Sequence, residues 1–229
     1  MSNARIGGTG KQLNKRLAGL VVAIANKKGG VGKTTLATIL AHRMGATLID
    51  LDPQANAADW AKGCDHPHYR MGAYRITDSE MTKLVETVEL AGQGGPVVLD
   101  CPPGENGLFR VALTLADGVI IPYKPGAADY KAVMETSELI RVEVFEANPD
   151  LKVMVLLNEA RTQDSQGLTG FTVMGLKQNL PNARYIGSIG NRKVYPIAYS
   201  ESTVPSTSKT DEELEVVFGN ISKTLGIRI

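Results

Sequence analysis

The stretch Asn26 to Thr35, N-K-K-G-G-V-G-K-T-T, constrains this chain more than any other. It follows an apolar run, Leu20 to Ala25, and precedes a helical pattern in which Leu36, Ile39 and Leu40 share one face. Buried strand, glycine-rich loop, then helix is the context of a phosphate-binding P-loop. Gly29, Gly30 and Gly32 let the backbone curl, so that successive N–H groups of Gly29, Gly30, Val31, Gly32, Lys33, Thr34 and Thr35 point inward at phosphate oxygens. The positive end of the following helix adds to that field. Lys33 is expected to reach the β- and γ-phosphates, and the Thr34 hydroxyl to ligate Mg²⁺.

The rest of the chain alternates strands and helices. A second strand, Thr47 to Leu51, ends in L-I-D-L-D-P-Q, and a short helix from Ala57 to Lys62 carries Trp60. Residues 63 to 72 read as a polar surface loop. Cys64, Asp65, His66 and His68 are metal-ligand types, but Pro67 and the lack of a second cluster argue against a metal there. A strand near Tyr74 to Ile76 leads to the capping-box pattern Thr77-Asp78-Ser79-Glu80 and a helix with Met81, Leu84, Val85 and Val88 on its apolar stripe, with Leu90 a further candidate for it. Then come strand Pro96 to Cys101, a helix over Leu108–Leu115, strand Gly118 to Pro122, a long helix from Ala127 to Ala147 and strand Val153 to Asn158. Beyond these, the pattern predicts a helix near Phe171 to Gln178, a short strand near Tyr185 to Ile189, irregular chain through 210, and a last amphipathic helix from Asp211 to Leu225.

This alternation predicts an α/β fold: a single P-loop NTPase domain with a mostly parallel twisted sheet and helices on both faces. The domain is expected over 19–229, after a basic, flexible N-terminal extension over 1–18. In such sheets ligands gather at the carboxyl ends of the strands, where the P-loop, Asp50, Asp52, Asp100 and Asn158 would meet. At 229 residues the chain is long enough for one sizeable core. No apolar run approaches the ~20 residues of a membrane span, and two cysteines make no disulfide framework, which points to a cytoplasmic protein. The net charge of +1 is lopsided. Arg5, Lys11, Lys15, Arg16, Lys27, Lys28, Lys33 and Arg43 all precede the first acidic residue, Asp50, so +8 is followed by −7.

The common pattern G-x-x-x-x-G-K-[ST] fails at Lys27, which takes the place of its first glycine. What fits is x-K-G-G-x-G-K-[ST], with a second lysine at Lys28. This resembles the deviant Walker A motif of the ParA/MinD family of ATPases. Within that family the chain looks most like the short ParA-type, ParF-like partition ATPases, through D-P-Q-A-N-A-A-D-W. The resemblance implies ATP and Mg²⁺ as cofactors, and an ATP-bridged homodimer in which Lys28 reaches the partner's nucleotide. It implies that Asp100 in V-V-L-D-C-P-P is a Walker B aspartate holding Mg²⁺ with Thr34, that Asp50 lies near the metal, and that Asp52 positions the attacking water. Catalysis would then rest on Lys28, Lys33 and Asp52. Pro102, Pro103 and Gly104 match switch II, Cys101 is expected to be a packed structural cysteine, and Asn158 matches the position that contacts the base. Asp117 and Pro122-x-x-Pro125-x-x-x-Asp129 match the family pattern near the dimer face, with no chemistry assigned.

The resemblance further implies a partition or positioning ATPase, nucleoid-associated, that binds non-specific DNA and is released when a ParB-like or centromere-binding adaptor stimulates hydrolysis. Arg184, Arg192 and Lys193 are the candidate DNA contacts, with Lys11, Lys15 and Arg16 behind them. Two alternatives compete. A MinD-like membrane-cycling regulator needs a basic amphipathic C-terminal helix, yet here that helix opens with Asp211, Glu212, Glu213 and Glu215, so no membrane partner is expected. A ligase or iron–sulfur reductase on the same scaffold would need a small acceptor, or cysteines at the dimer axis, and Cys64 and Cys101 are poorly spaced for that.

Overall fold

The computed structural model describes residues 19–73, 76–160 and 167–228. Among them seven strands form one sheet in the order β3-β2-β4-β1-β5-β6-β7, every pairing parallel. The central strands are β1 (Val21–Ile24), β2 (Thr47–Asp50), β4 (Val97–Asp100) and β5 (Gly118–Tyr123). Nearly all their residues are buried, as expected of strands covered on both faces. Alternation survives as a division between two cores. Val21 and Ala23 pack with α3 (Asp78–Gly94), α4 (Gly107–Leu115), α5 (Ala127–Leu139) and α7 (Gly167–Asn179) on one face. Val22 and Ile24 pack with α1 (Lys33–Met44), α2 (Asn56–Gly63) and α9 (Ser208–Leu225) on the other. The expected doubly covered α/β domain is therefore present, with a sheet that is parallel throughout the described residues.

Three expectations need correction. Within the stretch read as a polar loop, His68–Arg70 forms β3, paired in parallel with Leu48 to Asp50. It is an edge strand whose side chains are largely exposed, so its backbone partner, rather than any apolar pattern, makes it a strand. The strand expected near Tyr74 to Ile76 falls on residues 74 and 75, outside the described residues, and Ile76 itself is not in a strand.

The chain before 210 is irregular only in part, at 191–193 and 202–207. Val194–Glu201 forms α8, with Pro196 in its first turn where a missing N–H is harmless, and α9 starts at Ser208 under a Thr207–Thr210 capping box. The long helix after β5 is interrupted by a π turn at Ile140–Val144 before α6 (Phe145–Ala147). The remaining strands are β6 (Lys152–Ala160) and β7 (Arg184–Gly190). The capping box at Thr77 and Glu80 is formed. The expected N-terminal extension, with Lys11, Lys15 and Arg16, lies outside the described residues.

Candidate nucleotide site

Asn26, fully buried two residues beyond β1, fixes where the P-loop starts. Its amide donates to the Pro122 carbonyl of β5 at 2.9 Å, and its Oδ1 accepts the Lys28 N–H at 2.9 Å. Gly32 lies at φ +93 in the left-handed region, and a Cβ there would come within 2.1 Å of Asn158 Nδ2. That asparagine, from β6, donates to the Val31 carbonyl at 2.9 Å and braces the loop from behind. Helix α1 begins with no side-chain cap and no acidic residue in its first turn. Its first N–H groups are thus left for an anion, in a field that favours one.

Lys33 is 7% exposed and donates to the Lys28 carbonyl at 2.9 Å. Burial draws its pKa down, while Asp100, Cys101 and Asp52 pull the other way. Thr34 Oγ1 donates to Asp100 Oδ2 at 2.7 Å. The other Asp100 oxygen is buried with no hydrogen-bond partner. Burial, then the charge of Asp50 beside it in the sheet register, push the Asp100 carboxyl up to about 8. A hydroxyl and an orphaned carboxylate oxygen make a hard-oxygen donor set that fits Mg²⁺, which would supply the missing positive charge.

Asp50 is fully buried, and burial raises its pKa. Its oxygens accept the N–H groups of Asp52 and Ala58, each at 2.9 Å, so this carboxylate also ties α2 to the end of β2. Asp52 accepts the Gln54 N–H at 2.9 Å and faces a cavity of about 650 Å³. Gly29, Gly30, Gly32, Lys33, Thr34, Thr35, Pro103 and Asn158 line that cavity as well. Its far wall is Ile189 to Lys193 with Tyr195, Pro196 and Tyr199, none of which the sequence pattern assigns to the site. The Trp60 indole donates to the Thr203 carbonyl at 2.9 Å and meets Tyr199 edge-on, which holds α8 in place.

Lys28 is not among the residues lining this cavity. Its Nζ lies 2.5 Å from Asp129 Oδ2, where α5 begins, and Asp129 Oδ1 accepts the Lys124 N–H. Asp129, given no chemistry from the sequence, is thus the cis partner of the second P-loop lysine.

The three basic candidates for DNA do not form one patch. Arg184 starts β7 and Lys193 lies beyond its end, roughly 20 Å away at ~3.3 Å per residue. Arg192 is held by two hydrogen bonds to Glu213 of α9, a pairing that raises its pKa. Cys64 Sγ donates to the Ser202 carbonyl, His66 pairs with the Ala46 carbonyl and His68 with that of His66. No group of three or more potential metal-binding side chains occurs among the described residues. Cys101 is buried, and burial pushes its thiol pKa up. No helix among the described residues is long and apolar enough to cross a membrane.

A parallel sheet with a P-loop after β1 and an aspartate closing β4 defines a P-loop nucleotide-binding protein. The chain belongs to the CobQ/CobB/MinD/ParA nucleotide binding domain family, whose model matches residues 22–203. Similar curated proteins include ones named for ParA, for chromosome partitioning and for carboxysome distribution. It is 33% identical over 121 residues to the maintenance of carboxysome distribution protein A of Gloeobacter kilaueensis, covering 51% of this chain and 54% of that one. The match thus spans about half the length of that relative. It is 31% identical over 176 residues to the chromosome-partitioning ATPase Soj of Thermus thermophilus, covering 60% of this chain and 68% of Soj. The fold superposes on an ATP complex of a Cyanothece McdA with a TM-score of 0.66 at 17% identity, over 93% of this chain and 98% of that one.

Proposed function

We propose that this protein is a ParA-type positioning ATPase that dimerises on ATP, binds duplex DNA without sequence preference, and is released when an adaptor protein stimulates hydrolysis. The observation that carries the reading is the division of labour between two lysines on one loop. Lys33 is buried inside its own phosphate cradle, whereas Lys28 turns away from that cradle onto the buried Asp129. A cation that does not serve its own nucleotide is suited to serve a partner's, once Asp129 gives it up. The backbone of Gly29 to Thr35 and Lys33 hold the phosphates; Thr34 and Asp100 hold Mg²⁺, and Asp50 adds negative charge beside them. Held there by Thr34 and Asp100, Mg²⁺ would supply positive charge against the negative charge that develops on the phosphates. Asp52 orients the attacking water, and Asn158 braces the loop next to the base site.

DNA binding is the finer part of this proposal. A chain with a net charge of +1 cannot hold duplex by bulk charge, so affinity would come from doubling a local patch in the dimer. Lys193, beside the nucleotide cavity, is the candidate for that patch; Arg184 lies at the opposite end of β7, and Arg192 has its charge answered by Glu213. Nucleoid association in the cytoplasm follows from the same reading, and the cargo is a plasmid, a chromosome or a protein cluster.

Light scattering and ATP turnover, with duplex DNA present and absent, test the proposal. Wild type should double its mass with ATP and Mg²⁺ and then bind DNA in a steeply salt-dependent way. Lys28→Ala should bind nucleotide yet stay monomeric. Asp52→Ala should accumulate the ATP dimer and lose ~10²-fold in turnover, as expected when a water-orienting group goes. Normal dimerisation and turnover in Lys28→Ala would rule out the trans-lysine reading.

A further inference from the structure

Lys27, the residue that breaks the common P-loop pattern, is tied at three points to elements outside the loop. Its carbonyl accepts the Gly104 N–H at 2.7 Å. Its Nζ lies 2.6 Å from Glu105 Oε2. Its N–H donates to Thr136 Oγ1 of α5 at 3.3 Å. Gly104 and Glu105 belong to the loop after β4, whose Pro103 lines the nucleotide cavity. Glu105 is also bound by Arg110 of α4, whose Nε donates to Glu143 of the π turn at 2.7 Å. The hydrogen bond from Lys27, opposed by burial and aided by Arg110, draws the Glu105 pKa down. The backbone and side chain of Lys27 thus tie the P-loop to the loop after β4, whose Pro103 lines the nucleotide cavity.

We infer that Lys27 is a positioning residue for ATP hydrolysis: through Glu105 it fixes the loop after β4 against the P-loop, so that the Lys27–Glu105 pair governs turnover rather than nucleotide affinity. This rests on the ATPase reading proposed above. The phosphate cradle itself is made by Gly29 to Thr35, Lys33 and Thr34, none of which the pair touches. A small displacement of Pro103 and Gly104 therefore alters the geometry around the reacting phosphate while leaving the β-phosphate contacts intact. Chemistry is sensitive to such displacements where ground-state binding is not. The pair is part-exposed, at 25% and 28%, so it contributes little to stability and its removal leaves the fold in place.

The experiment is a double-mutant cycle on basal ATP turnover and on ADP affinity, using Lys27→Gln, Glu105→Gln, both together, and Lys27→Arg. Each neutral single variant should lose about tenfold or more in kcat, the scale of a modest misplacement, with ADP affinity unchanged. The double variant should be no worse than the singles, because both remove one interaction. Lys27→Arg should recover most of the turnover. Raised salt should bring wild-type kcat toward that of the variants and leave theirs unmoved. Full turnover in Lys27→Gln, a matching loss of ADP affinity, or losses that add in the double variant would each overturn the inference. A wild type that neither binds nor hydrolyses ATP would instead sink the function proposed above, so the two failures are told apart.

Discussion

Asp100 sits buried at the end of β4 with Asp50 beside it at the end of β2, two carboxylates in a buried site with Lys33 as their near cation. Its pKa is raised to about 8, far above its value in an unfolded chain, so the folded state holds that proton the more tightly. Stability linked to this proton is fully present below pH ~4 and is lost as pH rises towards about 8. Without ligand, the melting temperature of wild type should therefore fall over that window relative to Asp100→Asn, whose side chain cannot titrate. Mg²⁺ with nucleotide should reverse the fall in wild type, release a proton at neutral pH, and do neither in Asp100→Asn. Scanning fluorimetry across pH and a proton-release assay check this, and parallel curves for the two proteins would contradict it.

At the scale of elements, β3 is a three-residue edge strand whose importance lies in Met71 and Gly72, just past its end. Met71 N–H donates to the Asp50 carbonyl at 2.8 Å, and Gly72 lies against the main chain of Asp52. A Cβ at Gly72 would come within 2.2 Å of the Asp52 carbonyl carbon and oxygen, backbone atoms that cannot rotate away. Gly72→Ala should therefore push Asp52 out of place while leaving the P-loop intact. Turnover is expected to fall by roughly the ~10²-fold assigned to losing Asp52, with nucleotide binding retained. Isothermal titration alongside a phosphate-release assay separates the two, and unchanged turnover would show that the strand end does not set Asp52.

At the scale of the molecule, the sheet divides two cores, and the site rests on the strands between them. Leu99 of β4 is fully buried in the face covered by α3, α4, α5 and α7, one residue before Asp100. Leu99→Ala removes buried methyl groups where paired strands limit collapse, and is expected to lose about 2–5 kcal/mol. Against a typical total of roughly 5–15 kcal/mol, that is a large fraction, read as a lower urea midpoint with an unchanged slope. A loss below about 1 kcal/mol would mean that the core relaxes around β4.

The sequence by itself determined the P-loop, the apolar strands ending in Asp50 and Asp100, and the alternation that makes the sheet parallel. Those signals are local: a glycine run between strand and helix, or a buried run closed by an aspartate, can be read without knowing any partner. Tertiary structure decided the rest. β3 is polar, and only pairing with β2 makes it a strand. α8 is held by Trp60, through Tyr199 and the Thr203 carbonyl just beyond it, and forms part of the far wall of the cavity from residues with no helical apolar stripe. Lys28 meets Asp129 across 101 residues, and Lys27 meets Glu105 of the loop after β4. Arg192, basic in sequence, is answered by Glu213 of α9. A charge shows its sign in the sequence, but whether it is free or paired depends on which distant element the fold brings against it.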